Sequence, residues 1–110
     1  MEKHIEAYKI LPKEAIEIRE EVFVREQGFQ EEFDETDDSA VHLVLFCDGL
    51  PAAVCRIYPG AREGEYGVGR LAVRRPYRGK DLGAPLLAGA ERGIRKAGGA
   101  SVCLHAQRQA

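Results

Sequence analysis

Val73-Arg74-Arg75-Pro76-Tyr77-Arg78-Gly79-Lys80-Asp81-Leu82-Gly83 runs out of a strand and into a helix. Upstream, residues 65–73 read as a strand with Val68, Leu71 and Val73 as apolar content. Downstream, Leu82, Leu86, Leu87, Ala90, Ile94 and Ala97 form a stripe at helical spacing, which predicts a helix over 82–97. Pro85 is tolerated only in a first turn, so the helix starts between Leu82 and Ala84, and Gly98-Gly99 stops it. A helix start presents unpaired N–H groups and the positive end of the dipole, which makes an anion site. Gly79 and Gly83 let a phosphate approach the backbone, and Arg74, Arg75, Arg78 and Lys80 add four positive charges. The loop lacks G-K-[ST], so it is no Walker A loop, and it lacks the G-x-G-x-x-G of dinucleotide binding. On spacing alone, an ordinary strand-to-helix turn with solvated basic residues is the alternative reading.

Outward from this stretch, residues 100–106 form a last apolar strand, joined through the helix and therefore parallel to strand 65–73. On the N-terminal side, Val41 to Cys47 is apolar on both faces and reads as a buried strand. Asp48-Gly49 is a hairpin signal, Ala52 to Tyr58 the returning strand, and Pro59-Gly60 its breaker. His4 to Ile10 reads as the first strand. A helix is predicted over 13–27, with Ala15, Ile18, Val22 and Arg25 on one face, and Gly28 as its stop. Glu26 to Asp38 holds seven carboxylates and no basic residue, which predicts an exposed loop or a short irregular helix. The order is strand, helix, acidic segment, three-strand antiparallel meander, helix, strand: an α/β mixed sheet.

At 110 residues and 12.2 kDa, the chain is one domain, 1–110, burying about 65% of its unfolded surface. With 45% hydrophobic and 31% charged residues, disorder is excluded by composition. No apolar run approaches the roughly 20 residues of a membrane span, and no secretory signal opens the chain. Three cysteines, Cys47, Cys55 and Cys103, without C-x-x-C spacing disfavour a disulfide framework or a metal site and suggest free thiols in the cytoplasm. Residues 1–50 hold 14 acidic and 5 basic side chains (net −9), and residues 51–110 hold 4 and 11 (net +7). Two solvated faces that help the halves dock explain this as well as a bound anion does. A nucleic-acid partner is disfavoured, because the basic residues line one loop without interleaved aromatics and the pI is about 5.9.

Arg78-Gly79-Lys80-Asp81-Leu82-Gly83, placed after Leu71-Ala72-Val73, resembles the acetyl-CoA pyrophosphate loop (Q/R-x-x-G-x-G/A) of the GNAT N-acetyltransferase superfamily. Val22 to Gln27 is similar to the V-F-V-x-E-Q word of one small bacterial branch. Asp34 to Asp38 resembles its acidic patch, and Leu104-His105-Ala106-Gln107 its final L-x-A-Q strand. The resemblance covers the whole chain in order. Asp81 departs from the glycine usual at its position, and relatives continue past Ala110 with an F-Y-x-x-x-G-F unit that carries a tyrosine acid. The expected architecture is thus a GNAT-like mixed sheet lacking the final helix and strands.

The resemblance implies N-acetylation of a small-molecule or peptidyl amine by direct attack on acetyl-CoA in a ternary complex. It implies that the backbone of Leu71, Ala72 and Val73 pairs with the pantetheine arm. The amides of Arg78, Gly79, Lys80, Asp81, Leu82, Gly83 and Ala84 are then expected to hold the pyrophosphate. Glu26 is the candidate base or amine anchor, and His105 the candidate for proton handling. Glu26, Gln27, Asp34 and Asp37 are candidates for the acceptor side, where an acidic segment suits a cationic amine. His42 is expected to be an internal histidine, Arg19 and Arg56 internal partners of the acidic patch, Tyr77 a packing residue and the cysteines core fillers. The alternatives are a non-catalytic acyl-CoA-binding or structural remnant and an acyl-homoserine-lactone-synthase-like acyltransferase. The latter rests on Glu32, Asp34 and Asp37 with Arg19, Phe23 and Arg56. An uncovered last strand leads us to expect a homodimer.

Overall fold

Asp48 and Gly49 both take positive φ, 51° and 82°, as a two-residue type I′ turn requires. They join β2 (Val41–Cys47) to β3 (Leu50–Pro59) as an antiparallel hairpin. The computed structural model of the chain describes residues 2–26, 28, 35–60, 62–96 and the backbone of 101–105. β1 (Lys3–Tyr8) adds to the outside of β2, and β4 (Glu65–Val73) returns antiparallel to β3. α3 (Gly83–Lys96) then crosses over, and β5 (Ser101–His105) lies parallel to β4. The strand order is β1-β2-β3-β4-β5, the meander and parallel crossover expected from the sequence. Pro85 sits in the first turn of α3, where its missing N–H costs nothing. Among the described residues, no helix is long and apolar enough to cross a membrane.

Alternation along β2 and β3 sends side chains to both faces of the sheet, and both faces are covered. On one, Leu43, Leu45, Cys55 and Ile57 pack against Leu82, Leu86, Ala90 and Ile94 of α3. On the other, Val44 and Val54 pack against Ala15, Ile18, Val22 and Phe23. β4 changes its alternation midway. Val54 pairs with Ala72 and Arg56 with Gly69, so Cys55 alone faces both Arg70 and Leu71. Arg70 takes φ 50°, the left-handed conformation of a bulge residue. Before the bulge, Tyr66 and Val68 face α3; after it, Leu71 and Val73 do, while Ala72 faces the other core.

Three expectations shift. The first strand ends at Tyr8, and Ile10 is 84% exposed in the bend that follows. The helix over 13–27 is α-helical only as α1 (Lys13–Arg19) and continues as a π-helical segment, Glu20–Glu26. The wider turn rotates Phe23 into the core and leaves Arg25 exposed, so Arg25 does not share the buried face. The acidic segment ends in a one-turn helix, α2 (Thr36–Ser39), whose Asp37 is buried.

Asp37 was expected to meet a cationic acceptor; it is instead an internal counter-ion. Arg19 grips its carboxylate with two bonds (2.7 and 3.1 Å), and Arg56 from β3 adds a third at 3.0 Å. A carboxylate 7% exposed between two guanidinium groups has no face left for a substrate. The Arg19 and Arg56 expectations hold. The His42 ring nitrogen lies 3.1 Å from the Asp37 carbonyl oxygen, so His42 is a satisfied internal histidine. Burial is the main influence on it and lowers its pKa. Asp37→Asn removes the charge that two buried arginines share. The expected loss is about 3–5 kcal/mol of unfolding free energy, read by urea denaturation. A loss below about 1 kcal/mol, the scale of an exposed pair, would contradict the network's role.

Candidate active site

The bulge at Arg70 also divides β4 along its outer edge. β5 pairs only with residues Glu65 to Gly69. Beyond the bulge, Leu71-Ala72-Val73 keeps its pairing to β3 through Ala53 and Val54. Its other edge carries no strand among the described residues. Backbone N–H and C=O groups on such an edge can take an extended partner as a further strand.

From that edge the chain enters a short 3-10 turn, Arg75–Tyr77, and a loop that leads into α3. Gly79 takes φ 81° and Asp81 φ 56°. The left-handed conformation at Asp81 explains why glycine is the usual residue there in the pattern the loop resembles; aspartate is among the side chains that tolerate it. Leu82 then plugs the core, and the Leu86 N–H closes the first turn on the Leu82 carbonyl at 3.3 Å. The N–H groups of Gly83 and Ala84 lie in the first turn, where no intrahelical carbonyl meets them. A Cβ at Gly79 would have no atom within 4 Å, and one at Gly83 would meet only Leu71 Cδ2 at 3.9 Å. The backbone here is open to an approaching anion. Lys80 and Asp81 are exposed, and Tyr77 packs against the α3 core as expected.

Arg78 departs from a simple phosphate-facing role. Its Nε donates to the Val73 carbonyl and its Nη2 to Glu26 Oε1, both at 2.8 Å. Arg75 Nη2 stands 3.7 Å from the same oxygen. Arg74 reaches Glu21 at 3.3 Å and the Pro51 carbonyl at 3.2 Å. Glu21, Glu26, Arg74 and Arg75, with Arg25 and Pro76, line an open cleft of about 560 Å³ beside the loop. Arg56–Asp37, Arg74–Glu21 and Arg78–Glu26 all join the basic half to the acidic half, so the charge asymmetry does dock the two halves.

The structure therefore brings Glu26 to the loop, bound to arginine rather than standing free as a base. Gln27 and Asp34 lie outside the described residues. The His105 backbone pairs opposite Gly69; its side chain and that of Cys103 lie outside the description. Cys47 and Cys55 are buried free thiols, and burial pushes Cys55 up to about 12, so neither is a nucleophile. Sequence reasoning missed Tyr58, whose ring lies over Gly67 and receives the Arg56 guanidinium 5.6 Å from its centroid. Gly67 and Gly69 on one strand were the available signal, since such glycines mark a close approach.

The acetyltransferase (GNAT) family model matches this chain over residues 5–109. The chain belongs to that family. An uncharacterised N-acetyltransferase of Bacillus subtilis, YjcF, is 30% identical over 100 residues, covering 89% of this chain and 70% of the relative. A Lactobacillus plantarum protein named for N-acetyl transfer superposes with a TM-score of 0.77 at 31% identity, covering 89% and 70%. An acyl-CoA N-acyltransferase of Pseudomonas aeruginosa superposes at 0.75 with 26% identity, covering 87% and 73%. GNAT enzymes of this kind use acyl-CoA donors. Because a Cβ at Gly83 has room within the fold, Gly83→Val should change unfolding free energy by less than about 1 kcal/mol. The same branch stands where a phosphate would approach the amide, so coenzyme A affinity should fall roughly tenfold or more. Calorimetry and urea unfolding on one preparation check both; binding within twofold of wild type would refute the placement.

Proposed function

We propose that the chain transfers an acetyl group from acetyl-CoA to a primary amine by direct attack in a ternary complex. The observation that carries this reading is the edge of Leu71-Ala72-Val73, which no strand covers among the described residues, leading into the open loop and helix start at Gly83. The edge suits the amide-bearing pantetheine arm, and the amides from Arg78 to Ala84 suit the pyrophosphate. The bound donor supplies an activated thioester. A backbone N–H on the β4 edge polarises its carbonyl oxygen, and holding the amine against it provides the proximity. The nitrogen–carbon bond forms as the carbon–sulfur bond breaks; the amine gives up a proton and the departing thiolate gains one. His105 and Glu26 are the groups proposed for these proton movements, with Glu26, Gln27 and Asp34 on the acceptor side. A positively charged amine suits that acidic side, and Asp37 supports it from behind through Arg19 and Arg56. The buried thiols of Cys47 and Cys55 suit a reducing cytoplasm.

Titration with coenzyme A, followed by backbone amide shifts, tests the donor site. Residues 78–84 should move most, and less so at high salt. No movement there at millimolar ligand would remove the assignment. The outer edge of β5 has no partner strand among the described residues, which supports self-association of the 110-residue chain through that edge. Light scattering should report a dimer at ~100 μM, where even micromolar pairing is saturated. A monomer at that concentration would exclude the interface.

A further inference from the structure

The loop read as the coenzyme site already holds an anion, and that anion is Glu26. Arg78, the first residue of the loop, donates Nη2 to Glu26 Oε1 and Nε to the Val73 carbonyl, each at 2.8 Å. Val73 is the last residue of the β4 edge proposed for the pantetheine arm. A single side chain therefore occupies a carbonyl of the arm's edge and neutralises a carboxylate beside the phosphate site. We propose that Glu26 is an internal competitor for the coenzyme's pyrophosphate. Coenzyme binding takes Arg78 away from it, and the released carboxylate then faces the cleft as the anchor for a cationic acceptor. This rests on the coenzyme reading above.

Three observations make the exchange workable. The Arg78 side chain is 36% exposed, so it can swing without unpacking the core. An ion pair at that exposure is a weak hold, whereas charge-assisted contact of a guanidinium with phosphate is strong and two-pronged. Once Arg78 leaves, the cation left beside the Glu26 carboxylate among the described residues is Arg75, at 3.7 Å and 75% exposed, too well solvated to neutralise it. The Glu26 side chain is only 19% exposed, on the last turn of the π-helical segment, so it stays in place at the cleft wall. Before the coenzyme arrives, the acceptor's counter-charge is occupied by Arg78.

The test is calorimetric titration of coenzyme A into wild type, Glu26→Gln and Glu21→Gln at low salt. The Arg78 Nε–H resonance of ¹⁵N-arginine-labelled wild type is followed alongside. Removing the competitor should tighten coenzyme A binding by roughly 2–5-fold in Glu26→Gln, the weight of one such ion pair. Glu21→Gln removes equal charge from the same cleft but frees Arg74 instead, and should have less than half that effect. The Arg78 resonance should shift as coenzyme A saturates the wild type. With wild-type binding intact, equal or weaker binding by Glu26→Gln, equal tightening by Glu21→Gln, or an unmoved Arg78 resonance overturns the competitor alone. If wild type does not bind at millimolar coenzyme A, the donor-site reading itself falls.

Discussion

The rest of the molecule hangs on the one-residue offset in β4. With regular alternation, the side chains of 66, 68, 70 and 72 would share a face and Leu71 and Val73 would face the other core. Arg70 absorbs an extra residue at φ 50°, so Leu71 and Val73 turn to the α3 side with Tyr66 and Val68. That places Leu71 beneath the start of α3, 3.9 Å from where a Gly83 Cβ would stand. β5 follows β4 as far as Gly69, and the segment after the bulge has no further strand on that edge among the described residues. The offset thus connects core packing to the proposed donor site: what lets the apolar side chains support the helix start also turns the backbone beside it away from β5.

A second layer of order is electrostatic and divides by burial. Asp37 is held by Arg19 and Arg56 in the interior, where breaking a pair leaves uncompensated charge, so this network fixes α2 against the sheet. Arg74–Glu21 and Arg78–Glu26 are part-exposed, so each is a weaker hold than the buried network. The same acidic and basic composition therefore serves as a structural tie at one end and a responsive surface at the other. Positioning a donor and an acceptor needs a rigid frame, which the buried network supplies.

Much of this was legible in the residues. Asp48-Gly49 specified its turn because few residues reach positive φ at both positions, and Pro85 placed the start of α3 because it fits only a first turn. The apolar stripes of β2, β3 and α3 set the sheet and its crossover, and the loop from Arg78 to Gly83 marked the strand-to-helix junction with its glycines and basic residues. What the linear order could not convey was partner choice. The seven carboxylates between Glu26 and Asp38 look alike in sequence. Asp37 became a buried counter-ion because α2 sets it against an α1 arginine and a β3 arginine, and Glu26 met Arg78 because a π-helical turn re-aimed the end of its helix. Phe23 replaced Arg25 on the buried face for the same reason. Local propensities and turn geometry act over a few residues, so the sequence by itself determined the elements, their order and the loop's chemistry. Charge pairing and strand offset depend on residues far apart along the chain, and only the tertiary structure decided which carboxylate is structural, which faces the cleft, and where β4 opens its edge.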